Sequence, residues 1–272
     1  MNQGAKGNLN KKQVETQLST QRDASVLKKE VDTNIKTYIT HNKGGKWELI
    51  PAPAVNSEGK KLNCYVDEGC SLHLQIYSHD GVFAPPYSQD SAIGLILAVG
   101  NVGDRLDRQL TDRMSTYLSR DGGLNWSEIH KGPYIYEIGD HGGLIVLAKH
   151  GVPTNQVLYS YNEGKSWHEL EISDQNIVVS NIIIEPLSIS QQFVIYGTES
   201  QDEFFGDDAD QNKLKGVVVT VDFDALHEPQ CKGVHMPGSQ DSDYEFWTPH
   251  DGRHGENQKC FMGQTVMYVR RK

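Results

Sequence analysis

No apolar run in this chain of 272 residues approaches the roughly 20 residues that a bilayer span requires. The opening MNQGAKGNLNKKQVETQLST also lacks the apolar centre of a secretory leader, so these residues predict no membrane insertion of their own. Basic residues are in deficit: 26 Lys and Arg stand against 36 Asp and Glu, for a net charge of -10. That balance disfavours nucleic acid and anionic membranes and suits a basic peptide or protein better. HExxH, GxSxG, the P-loop and the dinucleotide fingerprint are all missing, which removes the common signatures of zinc proteases, α/β-hydrolases, nucleotidases and dehydrogenases. No cofactor and no metal are expected.

Cysteine is scarce as well. Cys64, Cys70, Cys231 and Cys260 form no CxxC pair. Cys64 and Cys70, six apart in the polar loop NCYVDEGC, suit a small disulfide loop better than zinc. Four cysteines favour an oxidising compartment. The absence of a leader conflicts with that compartment unless the chain is a piece of a longer secretory protein, which is the expectation adopted.

What the sequence does contain is strands. Hydrophobic residues make up 37% and the mean hydropathy is -0.55, as in a β-rich protein with many polar turns. Residues 1–34 are rich in Gln, Lys, Asn and Ser with no apolar period and read as an exposed or disordered lead-in, with Thr20 to Glu30 the one helical candidate. From Ile35 onward, short runs rich in Val, Ile and Tyr alternate with Gly, Asn, Asp and Pro. Strands are expected near 35–39, 47–50, 72–77, 92–99, 115–118, 126–129, 134–138, 144–149, 156–160, 168–172, 177–184, 193–197, 216–223 and 265–270.

One phrase recurs among them. Ser119 to Trp126 reads SRDGGLNW, Ser160 to Trp167 reads SYNEGKSW, and Thr40 to Trp47 reads THNKGGKW. The frame is Ser or Thr, any residue, Asp or Asn, any residue, Gly, any two, Trp, and it closes on three of the four tryptophans. The second and third phrases lie 41 residues apart and each bridges the third and fourth of four short strands. Four antiparallel strands repeating about every 40 residues mark a propeller blade. The first phrase stands 79 residues before the second, the interval being lengthened by PAPAVNSEGKKLNCYVDEGC and SHDGVFAPPYSQD. One period beyond Ser160, SQDEFFGD begins in frame but lacks the Gly and the Trp, and is read as coincidence.

The phrase suits a tight turn. Asn42, Asp121 and Asn162 are expected to accept bonds from amides two residues on, closing Asx turns, and Thr40, Ser119 and Ser160 to add a second local bond. Gly44, Gly123 and Gly164 supply positive φ, where a Cβ costs about 1 kcal/mol or more. Trp47, Trp126 and Trp167 open the next strand, and each ring is expected to cover apolar area between neighbouring sheets. These roles are structural, not catalytic.

The phrases resemble Asp boxes, which sialidases, some glycoside hydrolases and the sortilin family of sorting receptors share. The residues around them are similar to the sortilin family specifically. SLHLQIYS, AIGLILAVGNVGDRL and the stretch from YLSRDGGLNW to KSWHELEI resemble, in order, the last blades of that family's propeller. VDFDALHEPQC, DYEFWTPHDG and KCFMGQTVMYVRRK resemble the start of the cysteine-rich module that follows it. The similarity runs from about Ile35 to Lys272 and is strongest to the fungal and protist branch that sorts carboxypeptidase Y.

The resemblance implies an all-β partial propeller, its last three or four blades over residues 35–223, and the beginning of the cysteine-rich module over 224–272. It further implies the lumenal part of a type I membrane receptor that binds soluble cargo such as carboxypeptidase precursors in the Golgi and releases it at endosomes. Membrane attachment would come only through a span that these residues lack. It pairs Cys64 with Cys70, and places Cys231 and Cys260 in the later disulfide module. No ligand-binding residue is transferred, because the known peptide contacts lie in earlier blades.

The competing class is an Asp-box glycosidase or sialidase. It needs two carboxylates flanking the scissile bond, about 5 Å apart for retention or about 6.5–9.5 Å for inversion. A sialidase also needs converging arginines, and Arg105, Arg108, Arg113 and Arg120 cluster near one box but mostly on a loop. The acidic stretch Gln201 to Gln211 meets no calcium-loop spacing and reads as a solvated loop. His73, His79, His141, His150, His250 and His254 are expected at surface or strand positions, with pH-dependent release of cargo the sharper alternative. The sequon at Asn125 lies inside a box beside a buried Trp and is expected to be largely unmodified. Arg270, Arg271 and Lys272 are expected to end a strand.

Overall fold

The computed structural model describes residues 35–76, 85–107, 113–200, 215–226, 229–250, 260 and 262–272. The lead-in, the helical candidate from Thr20 to Glu30, the stretch Gln201 to Gln211, His79, Arg108 and His254 lie outside the described residues.

The described residues run through five antiparallel sheets. A two-residue hairpin, β1 (Tyr38–Ile39) and β2 (Glu48–Leu49), carries the first box at its turn. The first full blade follows as β3 (Ser71–Leu74), β4 (Ile96–Gly103), β5 (Ser115–Ser119) and β6 (Ser127–Lys131), paired in that order. The second blade is β7 (Tyr134–Gly139), β8 (Leu144–Lys149), β9 (Gln156–Ser160) and β10 (His168–Glu171). A three-stranded sheet of β11 (Ile177–Ile183), β12 (Gln192–Glu199) and β13 (Gly216–Asp222) comes next, and β14 (Tyr244–Trp247) pairs with β15 (Tyr268–Arg271) at the end. The fold is all-β, a partial propeller in which successive four-stranded meanders place a box between their third and fourth strands.

Period-two alternation explains why the inner strands are apolar on both faces. Tyr134, Tyr136, Ile138, Ile145 and Leu147 point one way and meet Leu97, Val99, Met114 and Leu118 of the preceding blade. Ile135, Leu144, Val146 and Ala148 point the other way and meet Ile177, Val179, Ile182, Phe193 and Ile195 of the following sheet. A third cluster, Ile50, Leu72, Leu74, Ala98, Tyr117 and Trp126, fills the seam before the first full blade. Each sheet is thus sealed by its neighbours rather than by its own folding back.

Three details differ from the sequence reading. The strand expected from Ala92 begins at Ile96, because Gly94 at φ +85° turns the chain there while Ala92 and Leu95 still bury in the seam. The strand β14 was not expected: its four residues YEFW are fixed by pairing with β15, more than 20 residues later, and not by a local pattern. Trp47 is 59% exposed and covers no seam. The box Trp packs toward the preceding sheet, as Trp126 and Trp167 do, and no sheet precedes β1 among the described residues.

Candidate functional site

The three boxes fold alike at the level of single bonds. In each, the amide of the Gly donates to the Ser or Thr hydroxyl four residues earlier, at 3.0 Å for Gly44, 2.9 Å for Gly123 and 2.8 Å for Gly164. The Oδ1 of the Asp or Asn accepts from the amide four residues on, not two: Lys46 at 2.8 Å, Asn125 at 2.9 Å and Ser166 at 2.9 Å. The hydroxyl then donates to that same Oδ1 at 3.0, 2.9 and 3.0 Å. Side chains therefore satisfy two backbone donors that the turn leaves without backbone partners. The remaining carboxylate oxygen of Asp121 accepts from Asn125 Nδ2 at 2.7 Å, so the sequon amide is itself engaged in the turn.

Successive boxes also interlock. A Cβ on Gly123 would lie 2.9 Å from Cδ1 of Ile39, and one on Gly164 would lie 2.7 Å from Cδ2 of Leu118. Ile39 and Leu118 each immediately precede the first residue of the earlier box, so each Gly receives the residue at the same place in the preceding sheet. Arg120, the second residue of its box, reaches the next box, where both its Nε (2.8 Å) and its Nη2 donate to the Glu163 carbonyl. Burial pushes the Glu163 carboxyl up from its ordinary value, while Lys165, Arg120, Arg270 and Arg271 pull it down.

The terminal hairpin crosses these turns. Arg270 donates through Nη1 to the Arg120 carbonyl at 2.8 Å, pairs with Glu245 at 2.8 Å and lies 5.1 Å over the Trp247 ring. Arg271 pairs with Asp140 at 3.0 Å, beside the second blade's first turn. The pair expected merely to end a strand instead fastens β15 to two consecutive blades. Between β2, the turn from Asp121 to Asn125 and the hairpin lies an open cleft of about 1130 Å3, with Glu48, Phe246 and Arg270 on its walls.

Other singled-out residues are placed as follows. Cys64 and Cys70 are joined in a disulfide; Cys231 is half-buried, Cys260 is exposed, and neither bonds the other. His73 is fully buried, its Nδ1 accepting from the Thr37 amide at 3.1 Å and its Nε2 beside the Ser71 hydroxyl at 3.2 Å. That geometry requires the neutral ring, and burial lowers its pKa. His130 packs edge-on to Trp167 at 5.0 Å, and burial lowers its pKa too. His73 lies on a strand, β3, one of its two expected placements, and His130 was not singled out from the sequence. Arg105 and Arg113 are exposed, while Arg120 is committed to the next box. Glu137 is the buried carboxylate among the described residues; it accepts from Tyr87 and from the Ile138 amide at 2.9 Å, and burial raises its pKa. No group of three or more His, Cys, Asp or Glu among the described residues could hold a metal ion. No helix among them is long and apolar enough to cross a membrane.

The family model described as "Sortilin, neurotensin receptor 3" matches residues 14–182, and "Sortilin, neurotensin receptor 3, C-terminal" matches residues 184–272. The chain belongs to the sortilin family. This sortilin-family chain is 38% identical over 254 residues to vacuolar protein sorting/targeting protein 10 of Aspergillus clavatus. It is 36% identical over 239 residues to the protein of that name from Debaryomyces hansenii, and 37% over 243 residues to that of Aspergillus terreus. The matches cover 87–91% of this chain but only 14–16% of those relatives. The chain spans about a sixth of their length at most.

Proposed function

We propose that the chain is the late lumenal part of a vacuolar sorting receptor, which binds soluble hydrolase precursors, carboxypeptidase precursors among them, and carries them from Golgi to endosome or vacuole. In this reading residues 35–223 are propeller blades and 224–272 open the cysteine-rich module, in which Cys231 and Cys260 find partners. The receptor would sit in Golgi and endosomal lumen as a type I membrane protein. Sequence identity of 34–38% to vacuolar sorting proteins over most of the chain carries the reading. The box residues then act as fasteners: the Oδ1 of Asn42, Asp121 and Asn162 is filled by an amide and a hydroxyl, which supports a binding scaffold without catalysis. The test is capture of secreted hydrolase precursors by the purified full-length receptor at neutral pH, with mis-secretion of those precursors after its deletion. Hydrolysis of a sialoside or glucan by the same protein, with no precursor retained, would overturn the proposal.

A further inference from the structure

The open cleft that β2, the turn from Asp121 to Asn125 and the terminal hairpin enclose measures about 1130 Å3. Small-molecule pockets usually hold about 300–1,000 Å3 and close over most of their ligand, so this cleft suits a stretch of polypeptide better. Leu49, Pro51, Val66, Leu124 and Phe246 give it apolar walls. Phe246 is 53% exposed and Val66 40%. Trp247 stands on the same wall, but Arg270 already covers its ring, so Phe246 is the aromatic face open to a partner. Three carboxylates, Glu48, Asp121 and Glu245, stand against one guanidinium, Arg270. Arg270 is spent on Glu245 and on the Arg120 carbonyl, and Asp121 on its own turn. Glu48 is half exposed and pairs with Lys46, which is 60% exposed. A pair so exposed holds weakly, and an incoming cation displaces it.

The walls are held in place before anything binds. Val66 sits in the loop that Cys64 and Cys70 close. Leu124 lies in a turn whose amides Ser119 and Asp121 hold, and Phe246 lies on a hairpin that Arg270 ties to the Arg120 carbonyl across 150 residues. Three separate fasteners meet at one cleft, and a preformed site is spared the ordering cost that weakens binding. We propose that this cleft contacts cargo: it takes a segment of a soluble precursor in which an apolar side chain lies close to a Lys or Arg, the apolar group packing on Phe246 and the cation replacing Lys46 at Glu48. The proposal rests on the reading of the chain as part of a sorting receptor. An aromatic anchor inside a rim of polar groups is the usual anatomy of a protein contact. The net charge of -10 draws a basic segment from a distance and turns away acidic segments and anionic lipid.

Fluorescence anisotropy on the full-length receptor tests the site, with a short end-blocked peptide of alternating Leu and Arg as probe and a counterpart of alternating Leu and Glu as control. At low salt the Arg peptide should bind about 10-fold more tightly than the Glu peptide. Glu48→Lys and Phe246→Ser should each weaken its binding about 10-fold, while Asp174→Lys, exposed and outside the cleft, should leave it nearly unchanged. Glu48→Lys should also improve binding of the Glu peptide, a reversal that general damage to the fold does not produce. Equal affinity for the two peptides, or full affinity in both cleft variants, overturns the proposal. Precursor capture by the same proteins keeps the two readings apart. Capture that Glu48→Lys leaves undiminished defeats the cleft as a cargo contact and spares the sorting function. Capture by neither wild type nor variant defeats the sorting function, and the cargo assignment with it, even where peptide binding still depends on Glu48.

Discussion

Gly44, Gly123 and Gly164 occupy the same place in three turns with the same hydrogen bonds, yet they face different surroundings, and replacing each with Ala separates backbone strain from packing. All three have positive φ, +89°, +92° and +74°. Ala there costs about 1–2 kcal/mol whatever the space. Around Gly44 the nearest atoms to a new Cβ are those of Trp47 at 3.8 Å or beyond, an ordinary contact, so strain is the whole effect. Around Gly164 the new Cβ would sit 2.7 Å from Leu118 and 3.2 Å from Trp167, inside a packed seam. Forcing a methyl group into such a seam adds about 1–3 kcal/mol. Gly123 falls between, since the atom it meets is the end of half-buried Ile39.

At about 3 °C per kcal/mol for a chain of this size, Gly44→Ala should lower the midpoint of thermal unfolding, followed by near-ultraviolet circular dichroism, by about 3–6 °C. Gly164→Ala should lower it by about 6–15 °C. The added part should vanish in a double-mutant cycle with Leu118→Ala, with a coupling of about 1–3 kcal/mol. Equal losses at Gly44 and Gly164, or additive losses in the cycle, would refute the claim that each box Gly is kept bare to receive the preceding sheet.

Three further outcomes follow from the same contacts. Ser160→Ala should cost about 1–3 kcal/mol in urea unfolding, because it removes a fully buried hydroxyl and leaves the half-buried Gly164 amide without its acceptor, while Thr40→Ala in the exposed first box should cost less than half as much. His73 and His130 have folded pKa values below the ordinary 6.5, so the unfolded chain binds more protons and stability is lost as pH falls below about 6.5 toward those folded values. Glu137 and Glu163, raised above 4.5, work the other way as pH falls from their folded values toward 4.5. His73→Gln should flatten the fall in urea midpoint between pH 7.5 and 5.5, and an unchanged slope would sink the assignment. Reducing Cys64–Cys70, which closes a loop of six residues, should cost about 2 kcal/mol, read as a lower midpoint in dithiothreitol.

Local patterns in the sequence set most of the strands and all three boxes, because a turn of eight residues is held by bonds that span four. What could not be read there depends on distance along the chain. Arg120 and Glu163 occupy box positions that the frame leaves free, and their bond links residues 43 apart. Arg270 meets the Arg120 carbonyl across 150 residues, and nothing in YVRRK distinguishes a clamp from a solvated end. His73 looked like any strand histidine; only the arrival of Thr37, 36 residues earlier, makes it a buried acceptor. Trp47 differs for the opposite reason: its box is complete, but no sheet precedes β1 among the described residues for its ring to cover.

That last point bears on how the arc holds together. Two contacts between sheets repeat in one direction: Gly123 and Gly164 receive the residue before the preceding box and Trp126 and Trp167 pack into the preceding seam, while Arg120 reaches forward to Glu163. Stability in such a stack is close to a sum over sheets and their nearest neighbours. The front of the arc, with Trp47 exposed and nothing but Trp47 near a Cβ on Gly44, forgoes the seam contribution that Trp126 and Trp167 make. Among the described residues, no sheet lies before β1 and no strand pairs the far side of β13. Adding upstream blades should bury Trp47 and shift its fluorescence to shorter wavelength without altering β13. Slower or faster hydrogen exchange at Val217 and Val219 on adding those blades would mean that the sheets do not act as separate neighbours, and this account of the boxes would fall with it.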